Sequence, residues 1–174
     1  ECGKLFAHRL KGNRTSSAAI ARMLGLEGFS VTLDTVNEDG SPKTRFLKPG
    51  FLAGQCIAAV RRFCQSADRE LAAAHFGYID GIDSATEGED GQKRRGRANN
   101  DLVREYLLPY ARKLWADLSN PDGTIPVSSL MHSTYFKVWQ LNHPVIASDV
   151  ILLDEYQDTA PVLVDVLKQQ VERG

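Results

Sequence analysis

Three acids fall within five positions, at Asp154, Glu155 and Asp158, directly after the aliphatic run Val150-Ile151-Leu152-Leu153. Carboxylates at this density suit a divalent cation and a proton acceptor, the two needs of magnesium-assisted phosphate chemistry. The run before them lacks polar alternation, which predicts a short strand buried on both faces of a parallel sheet. Ligands bind beyond the carboxyl ends of such strands, so Asp154 and Glu155 would sit at the mouth of a crevice. Successive side chains diverge at a strand end, so one acid can reach a hydrated Mg2+ on phosphate oxygens while the other reaches the attacking water. The same residues also suit a helix start, with Asp158 or Thr159 as N-cap and Pro161 in the first turn; the two readings are compatible.

Asp154-Glu155-Tyr156-Gln157-Asp158-Thr159 after four aliphatics resembles motif II, the Walker B element, of the UvrD/Rep family of superfamily 1 DNA helicases. Gln157, three residues after the first aspartate, distinguishes this pattern from the DEAD and DEAH types. The segment from His132 to Leu141, followed by Pro144, is similar to the stretch before motif II in the F-box DNA helicase branch and its bacterial relatives. Arg61-Arg62-Phe63-Cys64-Gln65-Ser66-Ala67-Asp68 has the same look, and so does Ala7-His8-Arg9-Leu10-Lys11-Gly12. One departure stands out: relatives carry His-Asp where this chain has His132-Ser133. A lone histidine before a helix reads first as a capping or partly buried group.

The resemblance implies an ATP-dependent 3′-to-5′ DNA helicase or translocase with ATP and Mg2+ as cofactors and single-stranded or 3′-tailed duplex DNA as partner. It implies that Asp154 holds Mg2+ through water, with Glu155 at the metal and activating the hydrolytic water. Gln157 and Asp158 would couple nucleotide state to neighbouring motor segments. Such a motor needs a Gly-rich loop ending in Gly-Lys-Ser/Thr to hold the β- and γ-phosphates. Gly3-Lys4-Leu5 has neither the preceding glycine nor the following hydroxyl. The chain opens on Glu1 and stops at Gly174, about one helix past the acids. The expectation is a middle fragment of a much longer helicase, hydrolysing ATP poorly or not at all by itself.

Composition suits a soluble globular piece: 43% hydrophobic, 25% charged, net charge −1. A near-neutral chain has no bulk attraction to nucleic acid, so DNA contacts must come from local patches. The three cysteines, Cys2, Cys56 and Cys64, lack Cys-x-x-Cys spacing and predict neither a disulfide framework nor a zinc site. Without a membrane-length apolar run or a signal pattern, a cytoplasmic protein, in the bacterial cytoplasm or nucleoid, is expected.

These residues must be positioned by mainly helical surroundings. Thr15 or Ser16 would cap a helix through Ala18, Ala19, Ile20, Met23 and Leu24 that Gly25 and Gly28 end. Phe29 to Thr35 and Thr44 to Leu47 flank the turn signal Asn37-Glu38-Asp39-Gly40, predicting a surface hairpin. Pro49 opens a helix in which Phe51, Leu52, Ile57, Val60 and Phe63 recur at near-helical spacing, with Arg61 and Arg62 near its end, either facing the helix C-terminus or available to a DNA phosphate. Residues 77–100 read as a flexible insertion whose basic cluster Lys93-Arg94-Arg95-Gly96-Arg97 is solvated. Asp101 starts an amphipathic helix through Leu118 that Pro109 would kink or divide. Another helix carries Tyr135, Phe136, Val138, Trp139 and Leu141, and a last one from Pro161 is expected to bury Val162, Leu163, Val166 and Leu167 against the sheet.

The fold expected is α/β, predominantly helical: a partial RecA-like P-loop NTPase motor domain with a parallel sheet and a helical inserted subdomain. Residues 1–147 would be that subdomain with part of the motor domain, and 148–174 the Walker B strand and its following helix. Two other functions fit the residues: a metal-dependent nuclease binding its ion through Asp154, Glu155 and Asp158, and a non-enzymatic interaction domain that retains the helicase sequence.

Overall fold

The structure is a computed structural model that describes residues 15–87, 93–126 and 130–172. Ser16 begins the first helix, α1 (Ser17–Leu24): its Oγ accepts the Ala19 N–H at 3.2 Å, and Gly25 ends the helix at φ 70°, a left-handed conformation that glycine adopts without a Cβ penalty. Strands β1 (Phe29–Val36) and β2 (Pro42–Leu47) form an antiparallel hairpin in which Phe29 pairs with Leu47 and Ser30 with Phe46, with an irregularity between Thr32 and Val36. Asp39 Oδ1 accepts from the Ser41 backbone and hydroxyl and so closes the turn.

Helix α2 (Pro49–Gln65) is the central element. Pro49 occupies its first turn, where no N–H is needed, and Leu52, Ala53, Cys56, Ala59, Val60, Phe63 and Cys64 recur at three- and four-residue spacing on one buried face. That face packs on α1, on α3 (Ala98–Ser119) and on α4 (Met131–Leu141). Helix α3 buries Val103, Leu107, Ala111, Leu114 and Leu118. It runs unbroken through Pro109, which is exposed, so water can take the carbonyl that the proline leaves without a donor. Helix α5 (Pro161–Val171) lies against α4 and buries Val162, Val166 and Gln169.

Asp83 organises the start of α3 from a distance in sequence. Its carboxylate accepts the backbone N–H groups of Asn99 and Asn100, and the buried Asn100 bridges both the N–H and the C=O of Ile79. Short strands β3 (Ala85–Glu87) and β4 (Lys93–Arg95) pair antiparallel beside this knot. The Ala7–Gly12 block lies outside the described residues.

The α/β architecture with a parallel RecA-like sheet is overturned. Among the described residues there are five α-helices and two separate two-stranded antiparallel ribbons. Residues 150–153 form no strand: Val150 is 70% exposed, Ile151 40% and Leu152 91%. An aliphatic run becomes a buried strand only where flanking strands satisfy its backbone, and among the described residues none pairs with it.

Candidate acidic turn and its surroundings

The acids follow that exposed run in a compact turn. Glu155 sits at φ 50°, ψ 46°, an unusual conformation for a residue with a Cβ, and its N–H donates to the Asp154 carboxylate at 2.9 Å. Its carbonyl accepts the Asp158 N–H at 2.9 Å and the Thr159 hydroxyl at 3.3 Å, closing a single 3-10 turn over Tyr156–Asp158. Gln157 donates its side-chain amide to Glu155 Oε2. Asp154, Glu155, Gln157 and Asp158 are therefore together and all exposed.

The turn commits one oxygen of Asp154 and one of Glu155, leaving Asp154 Oδ2 and Glu155 Oε1 for other partners. A hydrated magnesium ion, which takes one or two protein carboxylates and keeps several waters, fits this donor set. No group of three or more His, Cys, Asp or Glu side chains converges among the described residues. The capping reading is also corrected in detail: Ala160, not Asp158 or Thr159, is the N-cap of α5, with Pro161 in the first turn.

A pocket of about 340 Å3 lies against the turn, lined by Ala67, Tyr156, Gln157, Pro161, Asp165 and Lys168 among others. Its floor is held by a polar knot centred on Asp165. Oδ2 of that residue accepts from Gln140 and Gln169, each at 2.6 Å, and from Arg69 at 3.1 Å. Burial alone would raise the Asp165 pKa, yet these donors, with the nearby Arg69 and Lys137 charges, hold it below the usual carboxylate value. Lys137, fully buried on α4, donates to the carbonyls of Ser66 and Asp68 and stands 4.3 Å from the Phe63 ring. Burial lowers its ammonium pKa to about 8, against an opposing pull from Cys64, Asp68 and Asp165.

His132 is exposed, with Nδ1 3.1 Å from the Tyr135 hydroxyl, a surface contact on its own helix. Arg62 is committed to the His75 carbonyl at 3.0 Å, while Arg61 is exposed. Sequence reasoning passed over Arg69, Asp165 and Lys137. Lys137 carried a readable signal, since it falls among Thr134, Val138 and Leu141 on the inward side of an aromatic-rich helix.

The chain is 28% identical over 158 residues to F-box DNA helicase protein 1 of Schizosaccharomyces pombe, covering 89% of this chain and 15% of that protein. It is 32% identical over 62 residues to F-box DNA helicase 1 of Gallus gallus, covering 34% of this chain and 6% of that one. No family model and no solved structure matches. The chain is thus helicase-related in sequence and spans a small part of the length of these relatives. Among the described residues no helix is long and apolar enough to cross a membrane.

Proposed function

We propose that this chain is part of an ATP-driven 3′-to-5′ DNA helicase or translocase, and that Asp154, Glu155, Gln157 and Asp158 are its share of the nucleotide site. The observation that carries the reading is similarity along 89% of the chain to a protein named as a DNA helicase. The acidic turn supports it, because Asp154 and Glu155 are both exposed and each keeps one carboxylate oxygen that the turn's own hydrogen bonds do not use.

Bound magnesium would supply positive charge to the phosphate oxygens. Asp154 would hold its hydration shell through Oδ2. Glu155 would stand at the ion's edge and accept the proton of the attacking water through Oε1, with the Gln157 amide fixing the carboxylate's direction. Asp158, whose N–H ties the turn to the Glu155 carbonyl, would transmit displacement of the turn to α5. The sequence has no Gly-Lys-Ser/Thr loop, so the β- and γ-phosphates lack their usual cradle.

Purified alone, the chain should therefore show no Mg2+-dependent ATP turnover above background. Robust turnover that survives Glu155→Gln would overturn both the role of Glu155 and the importance of the missing loop. A non-enzymatic interaction domain is favoured by a different observation, the exposed apolar side chains of Val150, Ile151, Leu152 and Tyr156.

A further inference from the structure

We propose that a second pocket, lined by Arg69, Glu70, Leu71, Arg112 and Trp115, is a contact site for single-stranded DNA, with Trp115 stacking a base and Arg112 holding the adjoining phosphate. The proposal rests on the DNA-motor reading and adds a site that the acidic turn does not include. The pocket encloses about 300 Å3 at the seam between the loop following α2 and the outer side of α3. Arg112 and Trp115 are three residues apart on α3, so both present to one patch of surface.

The chemistry of the lining selects the ligand. Arg112 donates its Nε to the Leu71 carbonyl at 3.2 Å, which anchors the guanidinium at one nitrogen and leaves its terminal fork for an anion. Arg69, 42% exposed, already shares its charge with Asp165, so it contributes a field more than a ligand. The Trp115 ring is braced edge-on against the buried Phe63, with centroids 5.1 Å apart at 81°, and so offers the pocket a fixed aromatic surface. A free phosphate or an acidic peptide would use the guanidinium groups and leave the indole idle. A base with its phosphate uses both, the combination of stacking platform and cation by which single strands are held without sequence preference. Duplex DNA keeps its bases stacked internally and cannot insert one here. Glu70 opposes a phosphate at the rim. The site is one of local charge in a chain whose net charge is −1.

The test uses the whole chain in a Trp139→Phe background, which leaves Trp115 as the sole tryptophan of the two. A fluorescently labelled oligothymidylate is titrated by anisotropy, and quenching of Trp115 emission is followed in parallel with an unlabelled strand. The expected result is binding accompanied by quenching. Arg112→Gln should lower the salt slope by about one and weaken binding, Trp115→Leu should weaken it by about tenfold, and Glu70→Gln should tighten it. Unchanged melting of Arg112→Gln separates loss of the ligand from loss of the fold. Binding that neither quenches Trp115 nor responds to Arg112→Gln overturns this pocket while leaving the DNA-motor reading intact. Quenching by an acidic peptide or inorganic phosphate as strong as by the strand assigns the pocket to anions and overturns the proposal. No binding at low salt removes both the pocket and the DNA role of this segment.

Discussion

Lys137 places a charged side chain in the buried interior. A fully buried ammonium is tolerated because two carbonyls accept its protons and the Phe63 ring lies beneath it. Lys137→Met should cost about 1–3 kcal/mol, because the Ser66 and Asp68 carbonyls lose a donor, and denaturant melts measure that directly. Its lowered pKa also has a sign that can be worked out. Between about 8, the folded value, and 10.5, the ordinary one, the unfolded chain binds more protons at this lysine, so stability rises with pH across that window. Cys56 and Cys64 act oppositely: burial pushes both thiols from 9.0 up to about 12, so their stabilisation is complete below pH 9 and is lost as pH rises toward 12. Each group changes stability by at most about 1.4 kcal/mol per pH unit, and two thiols outweigh one lysine. Stability should peak between pH 8 and 9 and then fall. Urea midpoints across this range check it, with Cys64→Ala expected to flatten the alkaline decline and Lys137→Met to remove the rise below pH 9.

At the scale of elements, the Asp83–Asn100 knot decides where α3 begins. Asn100→Ala removes a buried amide that satisfies both backbone groups of Ile79, and should cost about 2–4 kcal/mol as two partners go unpaired. Thermal denaturation would show it, and Asn99→Ala, losing exposed and part-buried bonds, should cost less. The helices were legible because their signals are local: Ser16 as cap, Gly25 as stop, Pro49 at a first turn, and near-helical recurrence of Leu52, Ile57, Val60 and Phe63. Helix α3 began three residues before the expected Asp101 because Asp83, far upstream, supplies its cap. Residues 150–153 were misread because a buried strand is defined by neighbours, and aliphatic composition does not reveal whether those neighbours exist. Asp154, Glu155, Gln157 and Asp158 lie next to one another in sequence and so come together in one turn, but the strand expected to lead into it is an exposed coil. The pocket at Trp115 was hidden for a related reason: its arginines come from a loop and a helix whose approach is tertiary.

For the molecule as a whole, a helical body built on α2 carries an exposed aliphatic segment between α4 and α5. Leu152 at 91% and Val150 at 70% exposure give water a patch that association would cover. The chain should therefore self-associate with rising concentration in sedimentation velocity, and Leu152→Asp should restore a monomer without lowering the melting temperature of the body. The central claim is that the turn at Asp154 and Glu155 serves ATP hydrolysis in a DNA motor. The most direct measurement is DNA-stimulated ATP turnover by the complete reading frame that encodes this segment, compared with its Glu155→Gln variant. The account predicts a fall in kcat of about 100-fold or more while ATP binding stays within a few-fold, as expected when a proton acceptor is removed from an otherwise intact site. Turnover undiminished by Glu155→Gln would contradict it.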